Sequence, residues 1–519
     1  MIFWIWVSVV VTIIILYLRK IYTHFSKAGV NHLPVLPLLG NIWKTTFRMS
    51  HLSEVLDELY TKFPNDRFVG FYETITPVIV LKDIELIKQI TVKDFDTFLD
   101  HRLLINEECD PLFGSNLFSL KGQKWKDMRS TLSPAFTSSK IRLMVPFMVE
   151  VGDQMIASLK NKLKRLQSKS LFLDIDMKDL TTRYSNDVIA TCAFGIKVDS
   201  IADENNDFYK MGKIASNFTF IQLLKMFGFN SAPLIMEKLK ITLFTDDVKH
   251  FFTQIVLDTM QNREKHNIIR PDMINILMEA KKGNLSYDNK AGKDEDAGFA
   301  TVEESSVGKT VVNREWTDSD LIAQAILFFI AGFDGVASVT TFLLYELALN
   351  PDCQNKLFNY NAVQQMKYLD MLVCEVLRKW PPGVTADRVA SKSYNLGRPN
   401  SQATEDYIIK KGEGIFIPTW SIHHDPEYYE NPLKFDPERF SDENKHKIKP
   451  FSYIPFGTGP RNCIGSRFAL CEVKVMVYQI IQHMEVLPCE KTCIPGVLAP
   501  DTFNVRLKGG HWLRIRARN

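Results

Sequence analysis

The stretch FGTGPRNCIGSRFAL, residues 456–470, decides the fold, because a cysteine stands there in a glycine-rich loop that leads into helix-like sequence. Cys463 is open to four interpretations: a disulfide partner, a buried small hydrophobic residue, a nucleophile or a metal ligand. Arg461 lies two residues earlier, and its charge and the start of a helix both favour the thiolate form. The cysteine is therefore a candidate for chemistry rather than for packing.

The glycines of this loop narrow the choice. They remove side chains at three positions where a flat, bulky group would come close to the backbone: Gly457, Gly459 and Gly465. No histidine that would activate a nucleophile is evident nearby in the sequence. The loop thus describes a thiolate offered to a metal inside a planar macrocycle better than it describes a nucleophile.

The composition is that of a chain that can bury a large core. Of its 519 residues, 45% are hydrophobic and 24% charged, and the formal net charge is +3. There is no polybasic block and no nucleic-acid-reading motif, so we expect no nucleic-acid partner. The eight cysteines are scattered without a C-x-x-C pair, which argues against a disulfide framework and a structural zinc site. This usage favours a reducing compartment.

The N-terminus predicts a membrane anchor. Residues 1–18, MIFWIWVSVVVTIIILYL, carry no charge, and Arg19 and Lys20 follow. The run is close to the roughly 20 residues that span a bilayer, and no small-residue cleavage site follows it. Basic residues on its C-terminal side predict that the remainder stays cytoplasmic. We divide the chain into a transmembrane signal anchor (1–20), a basic, proline-containing linker (21–45) and a cytoplasmic domain (46–519).

The pattern beyond the linker predicts a mainly helical domain with small β-sheets. Most long segments have apolar residues three and four positions apart, and short β-prone runs such as TPVIVLK (76–82) lie between them. Residues 281–315 are polar and rich in glycine and charge. They predict an exposed loop rather than a domain boundary, because a helical pattern resumes directly afterwards.

One predicted helix is apolar on nearly every side. It runs from an N-cap at Thr317 to a stop at Asn350–Pro351, which predicts a helix buried through the centre of the fold. Its middle nevertheless contains Asp334, between Gly332 and Gly335. A buried charge is costly, so Asp334 is expected to have a partner or a chemical task.

The full pattern F-x-x-G-x-R-x-C-x-G is specific, and this chain fills every place in it with Phe456, Gly459, Arg461, Cys463 and Gly465. The loop resembles the haem-binding loop of the cytochrome P450 family, in which the cysteine is the axial thiolate ligand of iron. The resemblance runs from the anchor to the C-terminus. It implies the cytochrome P450 fold, a single large haem domain behind an N-terminal transmembrane anchor.

Two further motifs carry the resemblance. EVLR supplies Glu375 and Arg378 one helical turn apart, and FDPERF supplies Arg439. Alone, E-x-x-R is a weak signal, since any helix surface offers such ion pairs. In this order, ahead of the cysteine loop, the three residues resemble the family's structural lock behind the haem loop.

The resemblance also implies the ligands of the two haem propionates. WKDMR matches the helix along one haem edge, and two other matching stretches are DHRLL and ADRV. Carboxylates buried beside an apolar ring need several cationic partners. The expected propionate ligands are Arg102, Trp125, Arg129, Arg388 and Arg461.

In detail the chain resembles insect microsomal enzymes related to the vertebrate drug-metabolising three family. This implies a haem b monooxygenase of the endoplasmic reticulum membrane that uses O2 to oxidise lipophilic plant toxins, drugs and insecticides. Electrons would come from NADPH through a membrane-bound cytochrome reductase, with cytochrome b5 as an optional second donor. Apolar stretches at 112–120 and 218–229 are compatible with a pocket for such substrates and are also typical of plain core. Lys121, Lys124 and Lys126 form either a docking face for an acidic electron donor or an ordinary solvated helix face.

The central helix departs from the family pattern A-G-x-[DE]-T. Here it reads Ala331 to Gly335, and the threonine is missing. In the family the hydroxyl and the acid together relay the protons that drive O–O cleavage. We expect Ala331 against the haem, Asp334 in proton delivery, Gly335 at the place of the lost hydroxyl, and Ser338 one turn on as a substitute that holds a water. The glycine also weakens the helix by roughly 1 kcal/mol relative to alanine.

A second departure lies near residues 355–362, where the chain is shorter than the family usually is. The local helices are expected to be shortened, with the haem loop intact. Both departures keep three hypotheses open. The first is a haem-thiolate monooxygenase, the second a haem-thiolate isomerase or dehydratase that rearranges peroxides, and the third a haem-binding but poorly active degenerate member.

Overall fold

The computed structural model describes residues 2–102, 105, 107–166, 171–216, 220–282, 298–310, 314–502 and 504–518. Helices dominate these residues and the sheets are small, so the predicted fold class is confirmed. Short 3-10 and π-helical turns extend several helix ends, and one of them covers the PERF residues, Pro437–Phe440.

The helices run in this order: α1 (Ile2–Tyr22), α2 (His24–Lys27), α3 (Trp43–Thr46), α4 (Leu52–Lys62), α5 (Ile84–Lys88), α6 (Pro111–Gly114), α7 (Gly122–Leu132), α8 (Ser138–Leu166), α9 (Met177–Ile189), α10 (Asp207–Ser216), α11 (Phe220–Ser231), α12 (Pro233–Lys238), α13 (Asp246–His266), α14 (Met273–Lys281), α15 (Asp318–Leu349), α16 (Pro351–Asn359), α17 (Ala362–Lys379), α18 (Thr419–His423) and α19 (Ser466–His483). The strands are β1 (Phe68–Glu73), β2 (Thr76–Leu81), β3 (Leu173–Asp176), β4 (Ala386–Val389), β5 (Tyr394–Asn395), β6 (Ile408–Ile409), β7 (Gly414–Ile417), β8 (Met484–Leu487) and β9 (Trp512–Ala517).

The strands form two small sheets and a two-stranded ribbon. The larger sheet has the order β1-β2-β7-β4, with β2 and β7 parallel and the other pairs antiparallel. The second has the order β3-β9-β8, and β5 pairs with β6. In the first sheet Arg388 of β4 lies opposite Ile415 of β7, which fixes where one predicted propionate ligand stands.

The centre of the fold is α15, as the sequence predicts. The Thr317 hydroxyl accepts a hydrogen bond from the backbone N–H of Asp320 at 3.2 Å, and the Asp320 carboxylate accepts one from the backbone N–H of Thr317 at 3.1 Å. This capping box starts the helix, which ends at Leu349 before Asn350. The helix packs against α9, α19, α6 and α17, so its apolar surface is buried on several sides.

The N-terminal helix has no core of its own. None of the residues of α1 is buried, and its length and hydropathy are sufficient to cross a membrane. Among the described residues α15 passes the same test, but most of its apolar window is buried inside the protein. The anchor role of α1 therefore stays a prediction that its exposure supports.

Residues 21–45 are packed onto the domain. Phe25 is fully buried, and its ring centroid lies 4.9 Å from that of Tyr72. The carbonyl of Asn31 accepts a hydrogen bond from the backbone N–H of Gly70 at 2.8 Å. The predicted linker thus attaches to β1 over part of its length, because a buried aromatic ring outweighs the freedom of a connector.

The polar segment predicted as an exposed loop divides into two parts. Residues 283–297 and 311–313 lie outside the described residues. In residues 298–310, Ala300 and Gly308 are buried and the Phe299 ring lies 5.6 Å from that of Tyr453. The predicted exposure thus applies to this part only partly, because Phe299 and Glu303 are exposed whereas Ala300 and Gly308 are buried against the domain.

In the region predicted to be shortened, a two-residue connection joins α16 to α17. The Asn361 side chain caps α17 by accepting from the backbone N–H of Gln364 at 3.1 Å. The Gln365 side chain donates to the carbonyl of Leu357 at 3.0 Å, and the Gln354 side chain donates to that of Val486 at 2.8 Å. These polar contacts fasten the short α16 to both of its neighbours.

Candidate active site

Glycines shape the cysteine loop, and Gly459 leaves no room for a side chain. Gly457 and Gly459 both have φ of +73°, and a Cβ on Gly459 would lie 1.9 Å from the carbonyl oxygen of Thr91. The backbone N–H of Cys463 donates to the carbonyl of Phe456 at 2.8 Å, which closes the loop. The helix α19 begins three residues after the cysteine, where the sequence predicts it.

The side chain of Cys463 opens into an internal cavity of about 670 Å³. Its sulfur is accessible from the cavity although protein surrounds the residue on the other sides. Predicted haem contacts from four separate segments line the same space: Ala331 on α15, Arg388 on β4, Trp125 on α7, and Phe456 and Gly465 beside the cysteine. The fold therefore brings these positions around the Cys463 thiol.

The electrostatics at the sulfur differ from the expectation. Burial raises the pKa of the Cys463 thiol, while the backbone N–H of Gly465 and the charge of Arg129 lower it. Arg461 turns away, and its Nε donates to the carbonyl of Leu99 at 2.8 Å. The prediction that Arg461 supplies the nearby charge is corrected, because backbone carbonyl groups hold its guanidinium elsewhere.

Several cationic and polar side chains line the cavity: His101, Arg102, Trp125, Arg129, Arg388 and Arg461. The Arg102 guanidinium pairs with Glu73 at 2.6 Å, and the His101 ring lies 2.8 Å from an Asp387 carboxylate oxygen. Burial opposes ionisation of Asp387, but His101 and Arg102 hold its pKa well below the usual range. The sequence interpretation missed His101, although it precedes Arg102 directly.

The predicted lock behind the cysteine loop comes together. The Arg378 Nε and Nη2 donate to the two carboxylate oxygens of Glu375 at 2.7 and 2.8 Å, and both side chains have zero exposure. Arg439 joins at 3.6 Å from Glu375. The same Glu375 carboxylate accepts from the backbone N–H of Asp436 at 2.9 Å. A buried bidentate pair with these extra donors ties α17 to the PERF turn.

A histidine connects this lock to the cysteine loop. The Arg378 Nη1 donates to the carbonyl of His423 at 2.9 Å. The Nε2 of His423 accepts from the backbone N–H of Ile454 at 2.9 Å, and its Nδ1 lies 3.2 Å from the carbonyl of Arg378. Burial lowers the pKa of His423 to about 3, so the ring is neutral and carries its proton on Nδ1.

The face of α15 that lines the cavity is free of hydroxyl groups. It consists of Leu327, Phe328, Ala331, Gly332, Gly335, Val336 and Val339. A Cβ built on Gly335 would have no heavy atom within 4 Å outside its local helix, so the missing threonine leaves open space.

Asp334 belongs to a cluster away from the cavity-lining residues of α15. Its carboxylate lies 3.0 Å from the Lys178 ammonium and 3.1 Å from the Arg506 guanidinium, and it accepts from the Asn504 amide at 2.8 Å. Burial would raise the pKa of Asp334, but Lys178 and Arg506 hold it below the ordinary value. The partner that a buried charge requires is therefore present, while the role in proton delivery stays a prediction.

Ser338 is part of the same cluster. Its hydroxyl accepts from the Lys178 ammonium at 2.8 Å and lies 3.4 Å from an Asp334 carboxylate oxygen. Neither Ser338 nor Asp334 is among the residues that line the cavity in the described part of the chain. The expected substitute for the missing threonine thus has a protein partner and stands apart from Gly335.

Comparison with known proteins agrees with this arrangement. A family model described as Cytochrome P450 matches residues 31–509. The chain belongs to the cytochrome P450 family. The resemblance to this family and the fold that it implies are therefore confirmed. Members of the family are haem monooxygenases.

The similar proteins include several insect members of the family. Cytochrome P450 9e2 of Blattella germanica is 42% identical over 541 aligned residues, which cover 99% of this chain and 98% of that protein. Probable cytochrome P450 9f2 of Drosophila melanogaster is 41% identical, with 95% of each chain covered. Cytochrome P450 6k1 of Blattella germanica is 36% identical over 92% of this chain and 90% of that protein.

The donor set fits a P450 haem. Arg388 is 3% exposed, and of its five N–H groups the contacts within the described residues use one, to the carbonyl of Asp387 at 2.7 Å. A buried guanidinium with unfilled donors on the cavity wall suits a carboxylate ligand. Trp125 contributes an indole ring on the same wall, over which the Arg461 guanidinium stacks at 4.2 Å.

Arg129 has a protein partner that the sequence interpretation missed. Its Nη2 donates to a Glu304 carboxylate oxygen at 2.8 Å and to the Asn462 side chain at 2.8 Å, and its Nη1 donates to the carbonyl of Asn462 at 2.7 Å. One Nη1 proton remains for a propionate, so the predicted role is reduced. Glu304 lies in the segment predicted to be exposed, and no local pattern pointed to it.

The lysines near α7 have acidic partners. The Lys124 ammonium pairs with Glu107 at 2.5 Å and the Lys126 ammonium with Asp96 at 2.6 Å. Burial lowers the pKa of Lys121. A docking face and a solvated helix face both remain predictions for these residues.

We expect Glu375→Gln to destabilise the domain by about 3–5 kcal/mol, because Arg378 would keep a buried charge without its counterion. The measurement is urea unfolding followed by tryptophan fluorescence together with release of haem. The matched control is Glu438→Ala, which removes the half-exposed Lys356–Glu438 pair and is expected to cost about 0–1 kcal/mol. Equal losses in the two variants would contradict this account.

We expect His423 to make the domain less stable in acid. Its pKa is about 3 in the folded chain against 6.5 in the unfolded one, so as pH falls from 6.5 the unfolded chain takes up a proton that the folded chain cannot. In His423→Gln, the thermal unfolding midpoint is expected to decrease less between pH 6.5 and 4 than it does in the native chain. The control is His446→Gln, a change of an exposed histidine. If the dependence of the thermal midpoint on pH were unchanged in both variants, His423 would not be the cause of the acid sensitivity.

Proposed function

We propose that this chain is a membrane-anchored haem-thiolate monooxygenase that inserts one oxygen atom from O2 into lipophilic small molecules. The observation that carries the proposal is that the Cys463 thiol opens into a large cavity whose wall is mostly apolar and which several cationic side chains also line. Family membership supplies the general activity, and the cavity supports the choice of substrate.

The residues divide the work of holding haem. Cys463 is the iron ligand, and Arg102, Trp125, Arg388 and Arg461 are proposed to hold the propionates. Arg129 adds its remaining N–H. When bound, haem supplies the activation of O2. Glu375, Arg378 and Arg439 keep the cysteine loop in place without touching substrate.

The cavity wall favours substrates without charge. Phe118, Phe328 and Met226 line it, and they come from the two apolar stretches singled out in the sequence and from α15. Residues 218 and 219 of the second stretch lie outside the described residues. Aromatic and thioether side chains exclude water and gain by burying apolar surface, so plant toxins, drugs and insecticides are the proposed substrate class.

The electron path completes the proposal. The exposed apolar helix α1 is proposed to anchor the chain in the endoplasmic reticulum membrane with residues 46–519 on the cytoplasmic side. There a membrane-bound reductase can pass electrons from NADPH, and cytochrome b5 is an optional second donor.

One observation favours a second candidate. The α15 face carries no hydroxyl at Gly335, and Asp334 is held by Lys178 and Arg506. An isomerase or dehydratase that rearranges peroxides needs no protons for O–O cleavage, so these features suit it as well. A degenerate member that binds haem without turnover is the third candidate.

The decisive measurement is the absorption spectrum of the reduced, carbon-monoxide-bound protein. Carbon monoxide opposite a thiolate gives a far red-shifted Soret band, which we expect for the native chain and not for Cys463→Ser. Cys471→Ser, a change of the next cysteine along the chain, is the control and is expected to keep the band. A haem-loaded native protein without the band would overturn the proposed role of Cys463.

We expect Gly335→Thr to raise the amount of product formed per NADPH consumed several-fold, because the hydroxyl returns where a Cβ has open space. The matched control is Gly335→Val, which has the same shape without the hydroxyl and is expected to leave coupling unchanged. Rearrangement of peroxides without reductase in the native protein would instead support the second candidate. No gain in Gly335→Thr would refute the account of the missing threonine.

A further inference from the structure

Residues 298–310 form a strap across the outer side of the cysteine loop. At one end the backbone N–H of Phe299 donates to the carboxylate of Asp370 on α17 at 3.1 Å, and the Phe299 ring lies 5.4 Å from that of Phe440. At the other end the Ser130 hydroxyl of α7 donates to the carbonyl of Thr310. The strap thus spans from α17 to α7 and passes the cysteine loop between them.

The middle of the strap grips the residue before the cysteine. The carbonyl of Glu303 accepts from the Asn462 side-chain amide at 3.2 Å. Gly308 is buried where a Cβ would lie 2.4 Å from the Ser133 hydroxyl and 2.3 Å from the Glu304 carboxylate. The close packing at Gly308 and the hydrogen bond with Asn462 fix the position of the strap relative to the cysteine loop.

Glu304 is the charged group at the centre of these contacts. Its two carboxylate oxygens accept from the Nε and Nη2 of Arg129 at 2.8 to 3.1 Å. The exposed fractions are 3% for the Arg129 side chain and 14% for that of Glu304. Because Arg129 also donates to the side chain and carbonyl of Asn462, one guanidinium joins the strap, α7 and the cysteine loop.

The pair and the cysteine border the same small space. A small cavity of about 20 Å³ is bounded by Glu304, Arg129, Asn462 and Cys463 together. The charge of Arg129 acts on the Cys463 thiol and favours its ionised form. A carboxylate that neutralises Arg129 therefore changes the potential felt at the sulfur and at whatever metal the sulfur holds.

We propose that Glu304 is a positioning residue for the Cys463 thiolate, acting through Arg129 and Asn462 to fix the loop and to set the charge behind the sulfur. The inference rests on the proposed function in one respect only, namely that Cys463 binds the haem iron. One-electron reduction of that iron adds negative charge to the site, and a nearby carboxylate makes it less favourable. Glu304 thus lowers the reduction potential of the iron that Cys463 binds. The hydrogen bonds of its two carboxylate oxygens with Arg129 also keep the cysteine in place.

The test is a dye-coupled redox titration of the purified, haem-loaded full chain and its variants. Glu304→Gln removes the charge with little change of shape and is expected to shift the potential to a more positive value. Glu303→Gln removes the same charge from the neighbouring exposed residue and is expected to produce a clearly smaller shift. No shift in Glu304→Gln, or equal shifts in the two variants, would overturn the proposal.

A second pair of variants separates charge from mere folding. Glu304→Asp keeps the carboxylate and is expected to hold the native potential, whereas Glu304→Ala is expected to lose the red-shifted carbon monoxide band several-fold faster on storage. A native lifetime of the band in Glu304→Ala would refute the positioning role. A native chain that takes up haem without that band defeats the proposed function instead, so the two failures are distinguishable.

Discussion

The structure depends on the cost of burying one ion pair. Glu375 and Arg378 have no exposure at all, and neither could remain there alone, since an unpaired buried charge is far more expensive than the pair. Their remaining hydrogen-bonding groups are satisfied by the carbonyl of His423 and the backbone N–H of Asp436. The pair therefore fixes the positions of α18 and the PERF turn. His423 of α18 in turn accepts a hydrogen bond from the backbone N–H of Ile454, which fixes the start of the cysteine loop.

The same rule explains the centre of α15. A helix buried through the fold can carry Asp334 only because a cation from α9 and another from the C-terminal segment meet it there. The cluster fixes which face of α15 is turned to the cavity. That face is left with Ala331 and Gly335, so the position of the charge and the absence of a hydroxyl on the part of the cavity wall that α15 supplies are two consequences of one helix rotation.

What could be predicted from the sequence follows from how local each signal is. The cysteine loop, the Glu375–Arg378 pair and the Thr317 cap depend on residues a few positions apart, and their spacing is legible. The partners of Arg129 and Asp334 are not, because Glu304 lies 175 residues from Arg129 and Arg506 lies 172 from Asp334. No periodicity marks a single acid in a polar segment, and only packing of the chain shows which side it faces. His101 was missed for a different reason, since its neighbour Arg102 already filled the expected role.

The two expected departures from the family pattern differ in whether neighbouring residues compensate for them. At the predicted shortening after α16, Gln365 donates to the carbonyl of Leu357 and Gln354 to that of Val486, so polar contacts compensate for the short connection. The glycine at 335 is not compensated, because Ser338 is engaged by Lys178 and no cavity-facing residue of α15 carries a hydroxyl. Gly335 lies on the wall of the cavity that holds the Cys463 thiol, so the loss changes the chemistry of that wall and not the packing of the helix against its protein neighbours.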